Sequence, residues 1–477
     1  MDTGEVPGYE FEVPRGPHHG YRPHPESGYD PVHQFRHAPA PAPRSPVRGA
    51  GSGVLAVMRT RNWVVGLAVP VLVAIAVGIA LVVVAGGSGN GGAAPSALAA
   101  GFPPARLAGS GFTGNAVPAR VTLSAIGADS GTEVAAGGLS GGPALWVSTD
   151  GGTVWNRAGL AGPSGLTRAG TGQLDGVAHG PAGWLAVGTT LAAGGGPLVA
   201  SSPDGQTWTA AGAVPVPGGG NAAAAAVAAG GAGYVIVGHR AAGPGAAAVA
   251  AAWYAPGLSG WHNAAVTGDG SDDQMMNAVT ATARGFTAVG SAGTRPAVWR
   301  SAAGRTWQQA ALPVPPGSDR AALDYVAASG AGIVAAGTEF TATGASRPFA
   351  EVSADGGATW TAVQLPVPAA GPGTGTTVTA LTAAGGGFTA TGTYVTAAGP
   401  EVVVWTVPDG RRAAAGAAWT AVTPEGTGLA GPGAENTITA LTVDGVTLTG
   451  VGFTAAPGPQ GSPGPQQPTL WQSPLRY

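Results

Sequence analysis

The sequence lacks cysteine altogether, and it also lacks lysine, so all 21 of its basic residues are arginines. The absence of cysteine excludes disulfide bonds, thiolate metal ligands and a cysteine nucleophile. Only 9% of residues are charged and the formal net charge is −3, so a basic patch suited to nucleic acid is missing. We therefore expect packing and hydrogen bonds alone to stabilise the chain, and we predict no nucleic-acid partner.

Glycine and proline are abundant instead, with 85 Gly and 42 Pro among 477 residues. Such a composition is typical of chains rich in turns and poor in helix. The segment over residues 111–477 is longer than one ordinary hydrophobic core usually covers. A repeat architecture avoids this limit, because each unit buries its faces only against its neighbours.

One apolar stretch, residues 64–85, carries no charge and is long enough to cross the ~30 Å hydrocarbon core of a bilayer. Arginines lie before it between residues 44 and 61, and the next charged residue after it is Arg106. The positive-inside rule then places the N-terminus in the cytoplasm. We predict one transmembrane helix over residues 62–86, and a single-pass protein of the cell membrane with its C-terminal part outside. A cleaved signal peptide is the alternative, although its apolar core and its leader would both be shorter.

The segments on either side of this stretch have no apolar periodicity. Residues 1–60 are rich in Pro and His, which predicts a disordered cytoplasmic tail. Its segment 37–46 could adopt polyproline II and bind a partner, and a merely solvated tail is the simpler interpretation. Its histidines have no fold to fix their geometry, so we predict no metal site there. Residues 87–110 are rich in Gly, Ala and Pro and predict a flexible spacer.

The remaining chain contains a unit that is repeated seven times. Each unit has a short apolar strand, a Gly-rich turn, a second strand ending in Gly, and an outer pair of strands. The units begin near Val121, Leu174, Asn221, Met276, Leu323, Val378 and Thr437. Their spacing of about 50 residues suits one four-stranded blade with its connections. This pattern predicts an all-β fold, a seven-bladed β-propeller over residues 111–477.

The seventh unit ends after its third strand. A blade edge left bare in this way would invite pairing with another strand. We predict that a strand near residues 111–118 completes the seventh blade, so that the ring closes by pairing of the N- and C-terminal strands of the domain.

Residues 353–360, Ser-Ala-Asp-Gly-Gly-Ala-Thr-Trp, match the pattern S-x-D-x-G-x-T-W, which is the Asp-box. Residues 148–155 and 202–208 are close variants, whereas residues 301–307 have lost the Asp. Over residues 121–477 the chain therefore resembles the BNR/Asp-box, sialidase-like β-propeller repeat proteins, in a membrane-anchored bacterial form.

The motif also has a physical interpretation. An Asp at a tight turn accepts hydrogen bonds from backbone N–H groups, Gly supplies positive φ, and Trp buries a large ring between blades. The resemblance implies that these hairpins join the third and fourth strands, on the face opposite the usual pocket. The structural Asp-box residues that we predict are Asp150, Trp155, Asp204, Trp208, Asp355 and Trp360.

The resemblance implies further that sialidase activity would need three arginines, a Tyr–Glu pair and an Asp. Arg106 and Arg120 lack the Arg-rich context found at the start of that family, and Arg295 and Arg347 precede prolines in the middle of units. We therefore assign no catalytic residue, no metal ligand and no cofactor. A sialidase-like glycoside hydrolase using carboxylates at the channel mouth stays as the alternative function.

Loops between second and third strands share one propeller face with the connections between blades. A concave face with a few convergent polar groups is the default ligand site, although each such residue could equally be part of a solvated loop. The candidate ligand-binding residues are His239, Arg240, Asp272, Asp273, Arg295, Asp319, Arg320, Asp324, Glu339, Tyr394, Glu435 and Asn436. We expect a binding or scaffold module for an extracytoplasmic protein, a glycan or a cell-envelope ligand. A purely structural role in a membrane complex is a further possibility.

One position near the start of the first strand is polar in six of the seven units. The residues at this position are Ser124, Asp175, Ala225, Asn277, Asp324, Thr379 and Thr437. They either cap backbone groups of the inner strand or form a polar ring that meets a ligand or cation.

Overall fold

The computed structural model describes residues 104–105 and 121–475. The gaps within the second range are 164–166, 168–170, 191–195, 212–213, 215–220, 242–245, 269–272, 331, 369–374, 397–398, 414–417, 424–434 and 458–462. The predicted tail, the predicted membrane span over 62–86 and most of the predicted spacer lie outside the described residues. Within the described part, no helix combines the length and the apolar character that a bilayer crossing needs.

Seven blades follow one another along the chain, and each contributes a first, a second, a third and a fourth strand counted outwards from the axis. The first strands are β2 (Val121–Asp129), β7 (Gly172–Gly180), β11 (Asn221–Gly230), β16 (Gln274–Thr282), β20 (Arg320–Ser329), β24 (Thr377–Ala384) and β28 (Glu435–Asp444). The second strands are β3 (Thr132–Leu139), β8 (Gly183–Thr190), β12 (Gly233–Ala241), β17 (Gly285–Ala292), β21 (Gly332–Phe340), β25 (Gly387–Thr396) and β29 (Thr447–Pro457).

The outer half of each blade is less regular in length. The third strands are β4 (Gly142–Ser148), β9 (Pro197–Ser202), β13 (Val249–Ala255), β18 (Arg295–Ser301), β22 (Ser346–Ser353), β26 (Gly399–Val407) and β30 (Pro463–Pro474). The fourth strands are β5 (Asn156–Arg157), β10 (Thr207–Ala211), β14 (His262–Asn263), β19 (Thr306–Ala311), β23 (Thr361–Gln364), β27 (Thr420–Val422) and, for blade 7, β1 (Pro104–Ala105).

The first strands pack side by side around the axis in chain order, and β28 of blade 7 returns to β2 of blade 1. This closed circle of seven sheets confirms the predicted all-β, seven-bladed propeller. Each blade buries its flat sides against its two neighbours, so the hydrophobic core consists of separate clusters between consecutive blades.

Blade 7 takes its fourth strand from the N-terminal side of the domain. Strand β1 pairs antiparallel with β30, with Pro104 opposite Trp471 and Ala105 opposite Leu470. The closing strand therefore lies upstream of the predicted segment 111–118, which falls outside the described residues. Residues 104–105 belong to the stretch that the sequence suggested as spacer. A two-residue strand carries no apolar alternation, so its position cannot be found from sequence pattern.

Two blades receive an additional outer strand. The connection leaving blade 1 forms β6 (Gly159–Ala161), which pairs parallel with β10 of blade 2, and the connection leaving blade 3 forms β15 (Ala265–Thr267), which pairs parallel with β19 of blade 4. Both additions cover an outer edge that would otherwise be unpaired.

A bulge and a glycine recur at the same place in every blade. The pairing of first and second strands shifts by one residue near the start of each first strand, for example between Leu123 and Ala125 in blade 1. The second-strand residue opposite this shift is always Gly: 137, 188, 238, 290, 337, 392 and 452. A Cβ at Gly137 would overlap the carbonyl oxygen of Thr122, and the other six glycines face the equivalent oxygen. The close backbone approach at the bulge explains why every second strand has Gly near its end.

One equivalent position in the third strand of every blade is buried, and we call these seven positions the third-strand row. Each residue of the row pairs with the second-strand residue two positions before the recurring Gly. This row contains Trp146, Ala200, Trp253, Trp299, Glu351, Trp405 and Trp471. The tryptophans are at most 1% exposed, and each packs in the cluster shared with the preceding blade. Blade 2 has Ala200 in this row, and blade 5 has the carboxyl of Glu351.

The antiparallel order of the strands divides the loops between two faces. Turns joining first to second and third to fourth strands lie on one end of the blades, which we call the hairpin face. Turns joining second to third strands, together with the connections between blades, lie on the other end, which we call the loop face. All the candidate ligand-binding residues belong in sequence to segments at or next to the loop face.

Candidate functional site on the loop face

The extra residue at each first-strand bulge forms what we call the bulge ring. Its members are Ser124, Asp175, Ala225, Asn277, Asp324, Thr379 and Thr439. The seventh member is Thr439 and not the expected Thr437, because the bulge of β28 lies between Ile438 and Ala440. The polar position recognised in the sequence is thus the bulge itself.

Two members of the bulge ring bond to the next blade. The amide Nδ2 of Asn277 donates to the carbonyl oxygen of Leu323 at 3.0 Å, and the hydroxyl of Thr439 donates to the carbonyl oxygen of Leu123 at 2.7 Å. Each acceptor is the residue just before the bulge in the following blade. At these two positions the bulge ring caps a backbone carbonyl of the next blade, as in the first of the two roles that the sequence suggested.

The two carboxylates of the bulge ring lie on blades 2 and 5, which are not neighbours. Each accepts a hydrogen bond from an amide: Gln173 donates to Asp175 at 2.6 Å, and Asn277 donates to Asp324 at 3.2 Å. The candidate residue Asp324 is half-buried and belongs to this ring.

Four candidate residues are exposed on the loop face, namely Arg240, Arg295, Asp319 and Arg320. The last three lie on adjoining segments of blades 4 and 5, because the N–H of Ala321 donates to the carbonyl oxygen of Thr294 at 3.0 Å. The guanidinium of Arg320 lies 4.3 Å from the ring centroid of Phe340, a cation–π geometry that fixes its direction.

Two other candidates are half-buried at the blade 3–4 boundary. Burial lowers the pKa of His239, so its imidazole is neutral at ordinary pH and can both donate and accept a hydrogen bond. Asp273 has a φ of 56° and accepts the N–H of Ala248 at 3.0 Å, so its carboxylate fastens the connection into β16. Asp272 lies outside the described residues, and so does the side chain of Glu435, which begins β28.

Three candidates are buried. Glu339 is fully buried and forms an ion pair with Arg347, with Oε1 and Nε 2.8 Å apart. Arg347 also donates to the hydroxyl of Ser318 at 3.2 Å, so this pair fastens the connection from blade 4 to blade 5. Glu339 therefore supports the segment next to Asp319 and does not reach the surface.

Tyr394 and Asn436 are only 3% and 4% exposed. The Tyr394 hydroxyl donates to Oε2 of Glu401 at 2.7 Å, and burial, together with Glu401, raises the pKa of the phenol. Tyr394 packs in the core between blades 5 and 6. The buried phenol therefore helps to fix the position of the Glu401 carboxylate.

Sequence reasoning missed two buried carboxyl groups. Burial raises the pKa of Glu133 and of Glu351 to about 7 in each case, and Asp444 and Asp150 raise the pKa of Glu133 further while a hydrogen bond from Thr449 lowers it. Each acid lies next to apolar residues of its strand, in TEVAAGGL and in SRPFAEVS, and an acid among such neighbours was the available signal. Both lie towards the hairpin face.

On the hairpin face, three turns have their Asp bonded as a tight turn requires. Oδ1 of Asp150 accepts the N–H groups of Thr153 and Val154 at 3.1 and 2.9 Å, and the equivalent atoms of Asp204 and Asp355 accept two N–H groups each. These bonds lower the pKa of Asp204 to about 2 and that of the other two as well. All three carboxylates are therefore engaged in turn formation.

Blade 4 forms the same turn without the Asp. Ser301 accepts the N–H of Gly304 at 2.8 Å, and the Trp307 indole donates to the carbonyl oxygen of Gly304 at 3.0 Å, as Trp208 does with Gly205. Serine and tryptophan thus suffice to close this turn. Within the described ranges, no three His, Asp or Glu side chains come together as metal ligands would.

Comparison with known proteins finds similarity of shape alone. No family model and no curated protein matches the sequence. Similar solved structures include YCF48 bound to a D1 peptide, with 14% identity, 79% of this chain and 95% of that chain covered, and a TM-score of 0.44. A Trypanosoma rangeli sialidase in complex with the inhibitor DANA has 11% identity, covers 74% of this chain and 54% of that chain, and has a TM-score of 0.39.

The six-bladed Aleuria aurantia lectin is also similar, with 13% identity, 65% of this chain and 96% of that chain covered, and a TM-score of 0.35. Similarity at these scores carries no functional argument. The strand order itself defines the class of protein, which is a seven-bladed β-propeller closed by its N-terminal strand.

Proposed function

We propose that this protein is a membrane-anchored, extracytoplasmic propeller whose loop face binds a protein, a glycan or another component of the cell envelope. The apolar run over residues 64–85, with four arginines between residues 44 and 61 before it and no charged residue after it until Arg106, supports the anchor and its direction. In this proposal the Pro-rich tail over residues 1–60 lies in the cytoplasm and is free to meet a separate partner.

The observation that carries the binding role is the exposed group formed by Arg295, Asp319 and Arg320. Within the described part of the chain, neither arginine forms an ion pair with a carboxylate. Arginine presents a planar fork of donors that suits carboxylates, phosphates and the hydroxyls of sugars. The ion pair of Glu339 with Arg347 holds the backbone beneath this group, so the site rests on rigid blades.

The alternative function, glycoside hydrolysis, usually needs two carboxyl groups about 5–10 Å apart on either side of the bond to be cleaved. The bulge-ring acids Asp175 and Asp324 lie on non-neighbouring blades, and each is already bonded to an amide. This arrangement supports binding or scaffolding over hydrolysis.

The test is affinity capture from solubilised membranes with the full chain as bait. The double variant Arg295→Ala/Arg320→Ala is expected to lose about tenfold or more in retained ligand, since buried interface arginines commonly contribute more than 1.4 kcal/mol. The matched control is Arg157→Ala/Arg411→Ala, which removes the same charge from exposed positions at the hairpin end of the blades. Equal retention by the two double variants would refute the loop-face site.

A further inference from the structure

The direction of the closing strand shows where the chain enters the propeller. Third strands run from the loop face to the hairpin face, so β30 ends at the hairpin face. Strand β1 is antiparallel to β30 and therefore begins at the hairpin face. The chain therefore enters β1 from the hairpin side of blade 7.

The linking sequence over residues 86–103 is short. If these residues form the flexible spacer that their composition predicts, a chain of that length has a root-mean-square end-to-end distance of about 20–25 Å. That distance is comparable to the height of one blade, because the seven residues of β18 extend over about 20 Å. If the apolar run is the anchor, the tether keeps the hairpin face nearer to the bilayer than the loop face.

The hairpin face of blade 4 carries an unpaired basic group, which we call the arginine patch: Arg284, Arg300 and Arg305. All three side chains are exposed, and among the described carboxylates none forms an ion pair with them. Between residues 205 and 318 the only acidic residues are Asp269, Asp272 and Asp273, which precede β16. Blades 3 and 4 therefore present no described carboxylate on this face.

The arginine patch is held in place by its neighbours. Arg284 and Arg300 lie over the turn of blade 5, where a Cβ at Gly356 would be 3.2 Å from Cδ of Arg284 and a Cβ at Gly357 would be 3.3 Å from Cδ of Arg300. Arg305 lies 5.5 Å from the ring centroid of Tyr254. Clefts of 280 and 380 Å³ open on the two sides of the Arg284 turn, and Asp355 of blade 5 also lines the first of them.

The opposite side of the hairpin face has a different character. Val154 and Val446 are 50% and 61% exposed at the turns of blades 1 and 7, next to the entry of the chain. Among the acids of this side, Asp150 accepts N–H groups of its own turn and Asp444 accepts the N–H of Gly131 at 2.8 Å. The exposed Asp129 lies 3.2 Å from Nδ1 of His179. The hairpin face thus has the chain entry and exposed apolar side chains on the side of blades 1 and 7, and exposed basic side chains on the side of blade 4.

We propose that the hairpin face lies against the bilayer and that the arginine patch contacts anionic lipid headgroups, which leaves the loop face pointing away from the membrane and open to ligand. This inference rests on the proposed anchor. Each arginine near an anionic surface favours contact about fivefold, an effect that falls off within the Debye length and that salt removes.

The absence of cysteine makes a direct distance measurement possible. Single dyes are attached to Ala302→Cys on the hairpin face or to Thr294→Cys on the loop face, both exposed residues of blade 4. The full chain is reconstituted into phosphatidylglycerol-containing vesicles with acceptor-labelled lipids, and energy transfer is measured. We expect several-fold stronger transfer from the Ala302→Cys dye, and a smaller difference in vesicles of phosphatidylcholine alone or at high salt.

The matched charge variants are Arg284→Gln/Arg300→Gln/Arg305→Gln and Arg240→Gln/Arg295→Gln/Arg320→Gln. The first is expected to reduce the difference between the two dyes, and the second is expected to keep it. Flotation of the vesicles at high salt reports the anchor separately, since a chain that does not float refutes the anchor itself. A chain that floats but shows equal transfer from both dyes refutes the orientation. Retention of the protein on a soluble polyanion through the arginine patch, with equal transfer, would also overturn the lipid assignment.

Discussion

The second and third strands of the blades differ in how strictly they repeat. In the second strands, the residue opposite the bulge is Gly in all seven blades, because the backbone of the first strand comes too close for any side chain. The third-strand row has Trp in five blades but Ala200 in blade 2 and Glu351 in blade 5. Backbone contact allows only Gly at the position opposite the bulge, whereas the third-strand position only requires a side chain that fills the space between two blades.

This difference shows that the contact between first and second strands constrains the sequence of a blade more strictly than the packing of its third strand does. A backbone clash cannot be relieved by a rotamer change, so the bulge and its Gly must be kept in every copy. A gap between two blades can be filled by other side chains, so the third-strand row accepts a smaller residue or even a carboxyl group. Replacing the Gly opposite the bulge should therefore destabilise the protein in every blade. The effect of a change in the third-strand row should depend on the residue that the blade has there.

The largest expected effect is that of Gly238→Ala in blade 3. The new Cβ would overlap the carbonyl oxygen of Ala223, and the inner strand would have to move, which we expect to lower the free energy of unfolding by about 4 kcal/mol. Gly231→Ala is the matched control, because a Cβ there meets nothing within 4 Å. Urea denaturation of both variants measures the difference, and similar losses in the two would contradict the backbone argument.

The second prediction concerns Glu351→Gln and its dependence on pH. Burial raises the pKa of Glu351 from 4.5 to about 7, so the folded protein keeps a proton that the unfolded chain releases. Stability from this group is therefore complete below about pH 4.5 and is lost as the pH rises to about 7, by about 3 kcal/mol in all. Because Gln does not ionise, the variant should be more stable than the natural protein by about that amount at pH 8.

At pH 4 the same variant and the natural protein should have equal stability, since both side chains are then neutral. Urea denaturation at the two pH values provides the measurement. An equal gain in stability at both pH values would mean that Glu351→Gln acts through packing and not through the loss of an ionisable group.

The sequence predicted the inner strands and the Asp-containing turns between third and fourth strands, but it did not locate the closing strand. The strand that ends in Gly is visible as a repeated letter, so the unit starts near Val121 and Leu174 coincide with the first strands of blades 1 and 2. The closing strand at Pro104 is defined only by its pairing with Trp471, and nothing in its own two residues marks it.

The candidate site residues could likewise be predicted only in part. Polar residues could be assigned to the loop face from their place between strands, but their burial could not. Arg320 and Glu339 both lie at strand ends next to loops, yet one is exposed over Phe340 and the other is fully buried against Arg347. The difference depends on a partner in the next strand, which single-sequence patterns do not reveal.

The third prediction concerns the seam between blades 7 and 1, where the buried acid has a partner that Glu351 lacks. Thr449 donates to Oε1 of Glu133 at 2.8 Å. Thr449→Val removes this bond and should cost about 1 kcal/mol at acidic pH. Because the bond also lowers the pKa of Glu133, the variant should continue to lose stability at pH values above 7. Denaturation midpoints across the pH range measure this, and Thr389→Val in blade 6 is a control without a neighbouring Glu.

The smallest expected effect is a gain, from filling the one apolar position of the bulge ring. The hydroxyl of Thr439 bonds to the carbonyl oxygen just before the bulge of the next blade, and Ala225 has no side-chain donor for the equivalent oxygen, that of Met276. Ala225→Thr should add this bond between blades 3 and 4 and stabilise the protein by about 0.5–1 kcal/mol, whereas Thr439→Ala should destabilise it by about 1 kcal/mol. Opposite signs in thermal denaturation would show that the bulge ring joins the blades. A loss from both changes would mean that the ring only fills space beside the channel, and that its polar character has to be explained by something that binds there.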